Sequence, residues 1–400
     1  MAIDSFVISI FLILVCGRLL GEFAAKLGSP AVVGEIIAGL LIGPSVLGWI
    51  SPHNTLSVLA ELGVILLLFD IGCDTSIKRL YHAKGHSLWV ALSGILFPAV
   101  IASAAAAYWL NLSTFTALFF GCALTATSIG ISIRVMSQAK QTHTHAGQII
   151  LGAAVIDDVA GVVLLSILLN FNESGSLNFL SIVLLTLKVI IFLLIAPPLA
   201  RTLIYIARGF QSRFKQPGYD VFIIVSLICL FAWLAHLFGA PALLGGFAVG
   251  IALSRQFVSP INRYLQNPFA FTHRLEKSTK PLIDVFAPIF FVYVGITVDL
   301  SQLDISGTGL LLLAWLALIA ILTKLAAGFS AQGPWRKKLT IGCAMVPRGE
   351  VGLVFAEMGR QASIIPPKLF TELVMIIVIT TIAGPLMLKG SLKEQKPAKQ

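Results

Sequence analysis

Charge is what this chain has least of. Asp, Glu, Lys and Arg make up 12% of its 400 residues, about half the share of a typical soluble domain. No polar stretch is long enough for a separate soluble domain, and the segment after about Lys389 is only a dozen residues. The net charge of +10 therefore has no folded basic domain to sit on, which excludes nucleic-acid binding. Cysteine is scarce too. Cys16, Cys73, Cys122, Cys229 and Cys343 all fall in apolar runs without metal-ligand spacing, and read as small buried hydrophobes. There is no phosphate-cradling glycine loop or nucleotide motif, so the chain is expected to be no enzyme, to need no cofactor, and to draw on an ion gradient. The first apolar run lacks a basic leader and a small-residue cleavage site, and is expected to remain as a span.

What is present is hydrophobic length. The chain is 57% hydrophobic, with a mean hydropathy of +0.94. Apolar runs of about 17–25 residues recur from end to end, the length of bilayer-crossing helices. Only helices and closed barrels satisfy their backbone inside a bilayer, and runs without strict alternation select helices. The pattern predicts an all-α membrane protein of about 13 transmembrane helices. They lie roughly at 5–25, 30–49, 57–74, 87–108, 114–135, 146–170, 178–207, 219–237, 241–257, 282–299, 306–330, 338–360 and 368–389. With the N-terminus outside, the inside loops take 22 of the 28 Lys and Arg residues, and the outside loops take Arg360 and Lys368. Positive charge marks the cytoplasmic side, so the expected protein is multi-pass in the cell (inner) membrane, N-terminus out and C-terminus in. Arg18, Lys188, Lys324 and Arg348 remain inside the spans.

Two phrases recur seven predicted helices later. PAVVGEIIAGLLIG (30–43) resembles PALLGGFAVGIAL (241–253), and LLLFDIGCDTS (66–76) echoes IFFVYVGITVDLS (289–301). An odd offset reverses orientation. The expected organisation is two inverted six-helix repeats, 1–177 and 218–390, joined by a linker helix within 178–217 and followed by a short tail, 391–400. Secondary transporters are commonly built this way, with the substrate site at mid-membrane between interrupted helices in matching positions. The fifth span carries ALTATSIGIS (123–132), with Thr125, Thr127, Ser128 and Gly130; its repeat mate, the twelfth, carries AMVPRGEVGLV (344–354), with Pro347 and Gly349. Proline removes a backbone donor and clashes with the preceding turn, and glycine weakens a helix. Both helices are expected to break and cross.

The sixth span holds AAVIDDVAG (153–161), two adjacent acids, Asp157 and Asp158, in an otherwise apolar run. An aspartate at mid-membrane costs about 2.5–3.5 kcal/mol, and adjacent helical residues point about 100° apart. One acid can face a cavity while the other pairs with a cation. Lys324 lies about ten residues before the inside boundary of its span and Asp157 about eleven residues after its own, so at about 1.5 Å per residue their depths match. Lys324 is the natural partner of one aspartate. Arg348 and Glu350 flank Gly349 and are expected to support the broken helix. Glu35, Asp70 and Glu357 are secondary candidates. A carboxylate in low dielectric favours its neutral form, and a small hard cation wants carboxylate, hydroxyl and carbonyl oxygens. Proton and cation then compete for the same oxygens, with Thr127 and Ser128 beside them, and that competition is sufficient for antiport.

On these residues the chain resembles the monovalent cation:proton antiporter-2 family, the bacterial sodium/proton exchangers and their glutathione-gated potassium-efflux relatives. The likeness runs from SPAVVGEIIAGLLIGPSVLG through VIDDVAG to VPRGEVGLVFA. The resemblance implies thirteen helices, a homodimer in membrane lipid, and a core domain moving against a dimer scaffold. It implies Asp158 as the shared cation and proton site, with Asp157 paired to Lys324. A double acid with lysine looks like electrogenic exchange of Na+ or Li+ for H+. The alternatives are K+/H+ exchange and, less well matched, a cation channel. The potassium-efflux branch usually has Gln before its Asp and a cytosolic nucleotide-binding domain, neither of which occurs here. LFDIGCDTS departs from the family at Asp70 and at Cys73-Asp74.

Overall fold

The computed structural model describes residues 3–74, 85–128, 131–132, 135–136, 139, 141, 144–174, 179–211, 219–254, 268–304 and 306–393. Gly130, half of the 22 inside-loop basic residues counted above, and the side chains of Asp158 and Glu350 lie outside the described residues. Within them the chain is helical, without strands. The helices are α1 (Ile3–Lys26), α2 (Ala31–Ile42), α3 (Asn54–Asp74), α4 (Gly85–Trp109), α5 (Thr114–Ala123), α6 (His145–Ser174) and α7 (Phe179–Gln211). There follow α8 (Tyr219–Leu237), α9 (Leu243–Leu253), α10 (Pro268–Thr297), α11 (Gly307–Ala327), α12 (Trp335–Met345), α13 (Glu350–Gln361) and α14 (Pro367–Lys393). Among the described residues nine helices are long and apolar enough to cross a membrane, and α2, α5 and α9 are shorter apolar helices.

Several boundaries differ from the sequence expectation for identifiable reasons. The second helix ends at Ile42 rather than near 49, because Gly43-Pro44 turns the chain: Gly43 N–H donates to Gly39 O at 2.8 Å and Leu47 N–H to Leu41 O at 3.0 Å. The tenth begins at Pro268 rather than 282 and runs through Pro281 and Pro288, a tolerance expected where surrounding helices satisfy the backbone. Arg274, Lys277 and Lys280, counted as loop residues, thus belong to α10, and Arg336, Lys337 and Lys338 to the first turn of α12. In α4, Pro98 opens a π-helical turn, Pro98–Ala102, a usual way of absorbing a residue that cannot donate.

The chain forms two compact units. The first comprises Met1–Val15, Pro52–Lys78 and Glu173–Tyr293. Its centre is α9, every residue of which is buried. A Cβ on Gly250 would meet the α3 backbone, with Gly72 Cα at 2.8 Å and Cys73 N at 2.9 Å; one on Gly246 would meet Ile65 O, and one on Gly245 the α8 backbone at Phe231 and Ala232. Membrane helices lack a hydrophobic drive to associate and rely on such close backbone approach. Arg201, also counted as a loop cation, is instead buried in α7 and donates from Nη1 to Ala252 O at 2.9 Å. That places a positive charge on the carbonyl end of α9, where the helix dipole favours it. Cys229 is exposed on α8, unlike the buried Cys73, Cys122 and Cys343.

The second unit comprises Cys16–Ser51, Arg79–Asn172 and Val294–Gln400. It holds α2, α4–α6 and α11–α14. Here a Cβ on Gly34 would meet the α1 backbone at Leu20 and Gly21, and one on Gly295 would lie 3.0 Å from Gly39 Cα. Backbone contacts cannot yield as flexible side chains do. Gly250→Ala should therefore lower stability by about 1–3 kcal/mol, read as a lower thermal midpoint in detergent. Gly390→Ala, with nothing within 4 Å, should leave it unchanged or slightly higher.

Candidate functional site

The site is built where α5 and the α12–α13 pair lose their helical backbone. Helix α5 starts on a Ser113 cap, whose side chain accepts from Thr116 N–H. It stops at Ala123, and residues 126–128 run without helical structure. Helix α12 stops at Met345, residues 346–349 are non-helical, and α13 starts at Glu350. Pro347 has no N–H to continue α12, and its ring clashes with the carbonyl one turn back. The two interruptions satisfy each other: Ser128 N–H donates to Pro347 O at 2.8 Å, Thr127 Oγ1 to Met345 O at 3.5 Å, and Ser132 Oγ to Ala344 O at 2.5 Å. Thr125 Oγ1 turns back on Cys122 O at 2.7 Å. Thr125, Thr127 and Ser128 are all buried.

Against this crossing stands a buried ion pair. Lys324 Nζ on α11 donates to Asp157 Oδ2 on α6 at 3.0 Å, and both side chains are 0% exposed. Gly94 of α4 flanks the ammonium, and a Cβ there would lie 3.5 Å from Nζ, an ordinary van der Waals distance. Ser93, beside it, donates to Trp89 O at 2.7 Å. Asp157 Oδ1 is buried without a hydrogen-bond partner among the described residues. Arg348, in the α12–α13 interruption, is fully buried and donates from Nη2 to Ala320 O of α11 at 2.6 Å, while its carbonyl accepts from Thr381 Oγ1 of α14. Pro347 packs on Gly384 of α14, where a Cβ would sit 2.7 Å from the proline nitrogen. The arrangement sets a carboxylate, hydroxyls and non-helical carbonyls, the oxygen ligands a small hard cation or a proton would share, together with the ammonium of Lys324 and the guanidinium of Arg348.

The secondary candidates make contacts of their own. Asp70, in the first unit, is paired with Lys280 Nζ at 2.7 Å and is partly exposed. Glu35 is half-buried on α2 beside Gly21 of α1. Sequence reasoning missed Thr381 and Gly384, although two threonines and a glycine in the apolar run ITTIAG (379–384) are a visible signal. It also missed Gly94, which carries no signal of its own, and gave only passing weight to Glu357. That acid is buried on α13 and accepts from Arg360 Nε at 2.9 Å, Arg360 Nη2 at 2.7 Å and Gln361 Nε2 at 3.0 Å.

The family model for the sodium/hydrogen exchanger, transmembrane, matches residues 10–394. The chain belongs to the sodium/hydrogen exchanger family. It is 30% identical, over 98% of this chain and 92% of the relative, to the high-affinity Na+/H+ antiporter NhaS3 of a Synechocystis strain. It is 33% identical to a Na+/H+ antiporter of Enterococcus hirae, over 94% of this chain and 96% of that one. It is 32% identical to the Na+/H+-K+ antiporter GerN of Bacillus cereus, over 96% and 95%. In fold it is similar to the sodium proton antiporter MjNhaP1 of Methanocaldococcus jannaschii, with a TM-score of 0.70 at 19% identity, covering 98% of this chain and 97% of that one. Membership of this exchanger family makes the chain a multi-pass membrane transporter and not an enzyme.

At the crossing, a Cβ on Gly349 would lie 2.7 Å from both Cβ and Oγ of Ser128. Gly349→Ala should thus lower the thermal midpoint by several degrees and reduce transport. Adding Ser128→Gly, which removes the clashing atoms, should recover most of the thermal loss, in the non-additive manner of residues in contact.

Proposed function

We propose that this exchanger moves Na+ or Li+ against H+ by alternating access, with cation and proton competing for Asp158 and the Asp157–Lys324 pair linked to the proton. The observation that carries the reading is the fully buried ion pair beside two helix interruptions bonded to each other. A buried pair is held only while both charges are present. A cation arriving at the neighbouring acid offers the carboxylates another partner, so its binding loosens the hold on Lys324 and on any proton the acids carry. The assignment of Asp158 rests on its place next to Asp157 and on the family motif. The named activities of NhaS3 and the E. hirae relative, both Na+/H+ antiporters, support sodium as the cation. Net charge movement per cycle is read from the family motif, a double acid together with a lysine. GerN, whose name includes potassium, supports K+/H+ exchange as the second reading.

The wider architecture belongs to the same reading. Contacts repeat at matching places: Gly34 meets α1 as Gly245 meets α8, and Gly295 meets Gly39 of α2 as Gly72 meets Gly250 of α9. These correspondences support thirteen helices in two inverted repeats, 1–177 and 218–390, around a linker in 178–217. The loop charges support an outside N-terminus and a cytoplasmic C-terminus, and a homodimer follows from the family.

Proteoliposome transport tests the proposal. Na+ or Li+ gradients should drive proton counter-movement, with K+ weaker. Asp158→Asn should abolish it, and undiminished exchange in that variant would sink the assignment. Asp157→Asn should retain exchange but lose its response to membrane potential.

A further inference from the structure

Arg348 is among the largest side chains buried without exposure, and the exchange scheme above gives it no task. One of its donors, Nη2, is used on Ala320 O; Nε and Nη1 are buried and have no hydrogen-bond partner among the described residues. Asp157 shows the same imbalance from the acid side, with Oδ2 on Lys324 and Oδ1 unpartnered. Buried polar atoms are bonded in the great majority of cases, and leaving one unmade costs most when it is charged. Here free donors and a free acceptor of opposite charge lie on the same structure. Ala320 is one turn before Lys324 on α11, so the bond to its carbonyl holds the guanidinium beside the stretch that presents the ammonium. In a helix the Ala320 carbonyl points toward residue 324, so the guanidinium it holds and the carboxylate held by Lys324 meet the same stretch of α11. Thr381, bonded to the Arg348 carbonyl from α14, fixes the backbone from which the side chain reaches.

We propose that Arg348 is a positioning residue for the exchange, the second cationic partner of Asp157. When the cycle separates the carboxylate from Lys324, the guanidinium takes the free oxygen, so the acid is never left buried without a cation. This rests on the exchange reading for its timing. Removing Lys324 by substitution frees the same oxygen, so the pairing is testable in the resting protein without transport. A guanidinium suits the role because its planar fork offers several donors at once, one committed to Ala320 and others free for a carboxylate.

The test is a thermal-stability cycle on the full-length protein in nanodiscs, independent of transport. Lys324→Gln and Arg348→Gln are measured singly and together. Loss of the Ala320 bond is common to both backgrounds and cancels, leaving the coupling through Asp157. Arg348→Gln should cost roughly 3–5 °C more when Lys324 is already Gln than in the native background. Arg348→Lys, which keeps the charge, should restore most of that difference. A double variant that fails to fold while each single variant folds is the same coupling in its extreme form. In an Asp157→Asn background the extra loss should vanish. Equal cost in both backgrounds, no restoration by Arg348→Lys, or persistence of the extra loss without Asp157 would overturn the proposal. Absence of cation-driven proton movement in the native protein would instead count against the exchange reading and leave this cycle standing.

Discussion

An ammonium and a carboxylate 3.0 Å apart, both shut away from solvent, are each other's main reason for being charged at that depth. Either alone would carry several kcal/mol of desolvation penalty. Much of the second unit is arranged around this pair. Helix α6 brings the acid and α11 the base, with Gly94 of α4 beside the ammonium. Arg348 adds a second cation, tied to the helix that carries Lys324. A pair this dependent on its partner is also easily coupled to ion binding, because any other cation offered to the acids changes the balance that holds Lys324.

The crossing of the two interruptions makes such an offer structurally possible. In a bilayer, backbone groups freed from a helix must find partners within the protein. Across the crossing Ser128 N–H finds Pro347 O, and the carbonyls of Met345 and Ala344 at the end of α12 accept from the hydroxyls of Thr127 and Ser132. Neither interruption would be stable without the other. Together they place hydroxyls and carbonyls, rather than closed helical turns, next to the charges. Glycine keeps the approach tight, with no side chain between Gly349 and Ser128 and none between Gly384 and Pro347.

Much of this is written locally in the sequence. The interruption at Pro347 follows from proline's missing donor, and the depths of Asp157 and Lys324 follow from counting residues along two helices, because rise per residue is constant. Contacts between distant segments are less legible. Nothing near Arg348 in the chain indicates that Thr381 bonds its carbonyl or that Ala320 holds its guanidinium. Arg201 looks like a loop cation and is buried at the end of α9, because its partner is 51 residues away. The early start of α10 escaped notice because prolines that end soluble helices are accommodated here. Glycine contacts such as Gly72 with Gly250 lie between: the repeated phrases flag them, and only the fold says what they touch.

The central claim is that cation binding and proton release are one event at the acids beside Lys324. It is tested most directly by calorimetric titration of Na+ into the purified protein, repeated in buffers of different ionisation enthalpy at one pH. The heat should depend on the buffer, corresponding to release of about one or two protons per Na+ bound. This dependence should disappear in Asp158→Asn. Sodium binding with a heat indifferent to the buffer would contradict it.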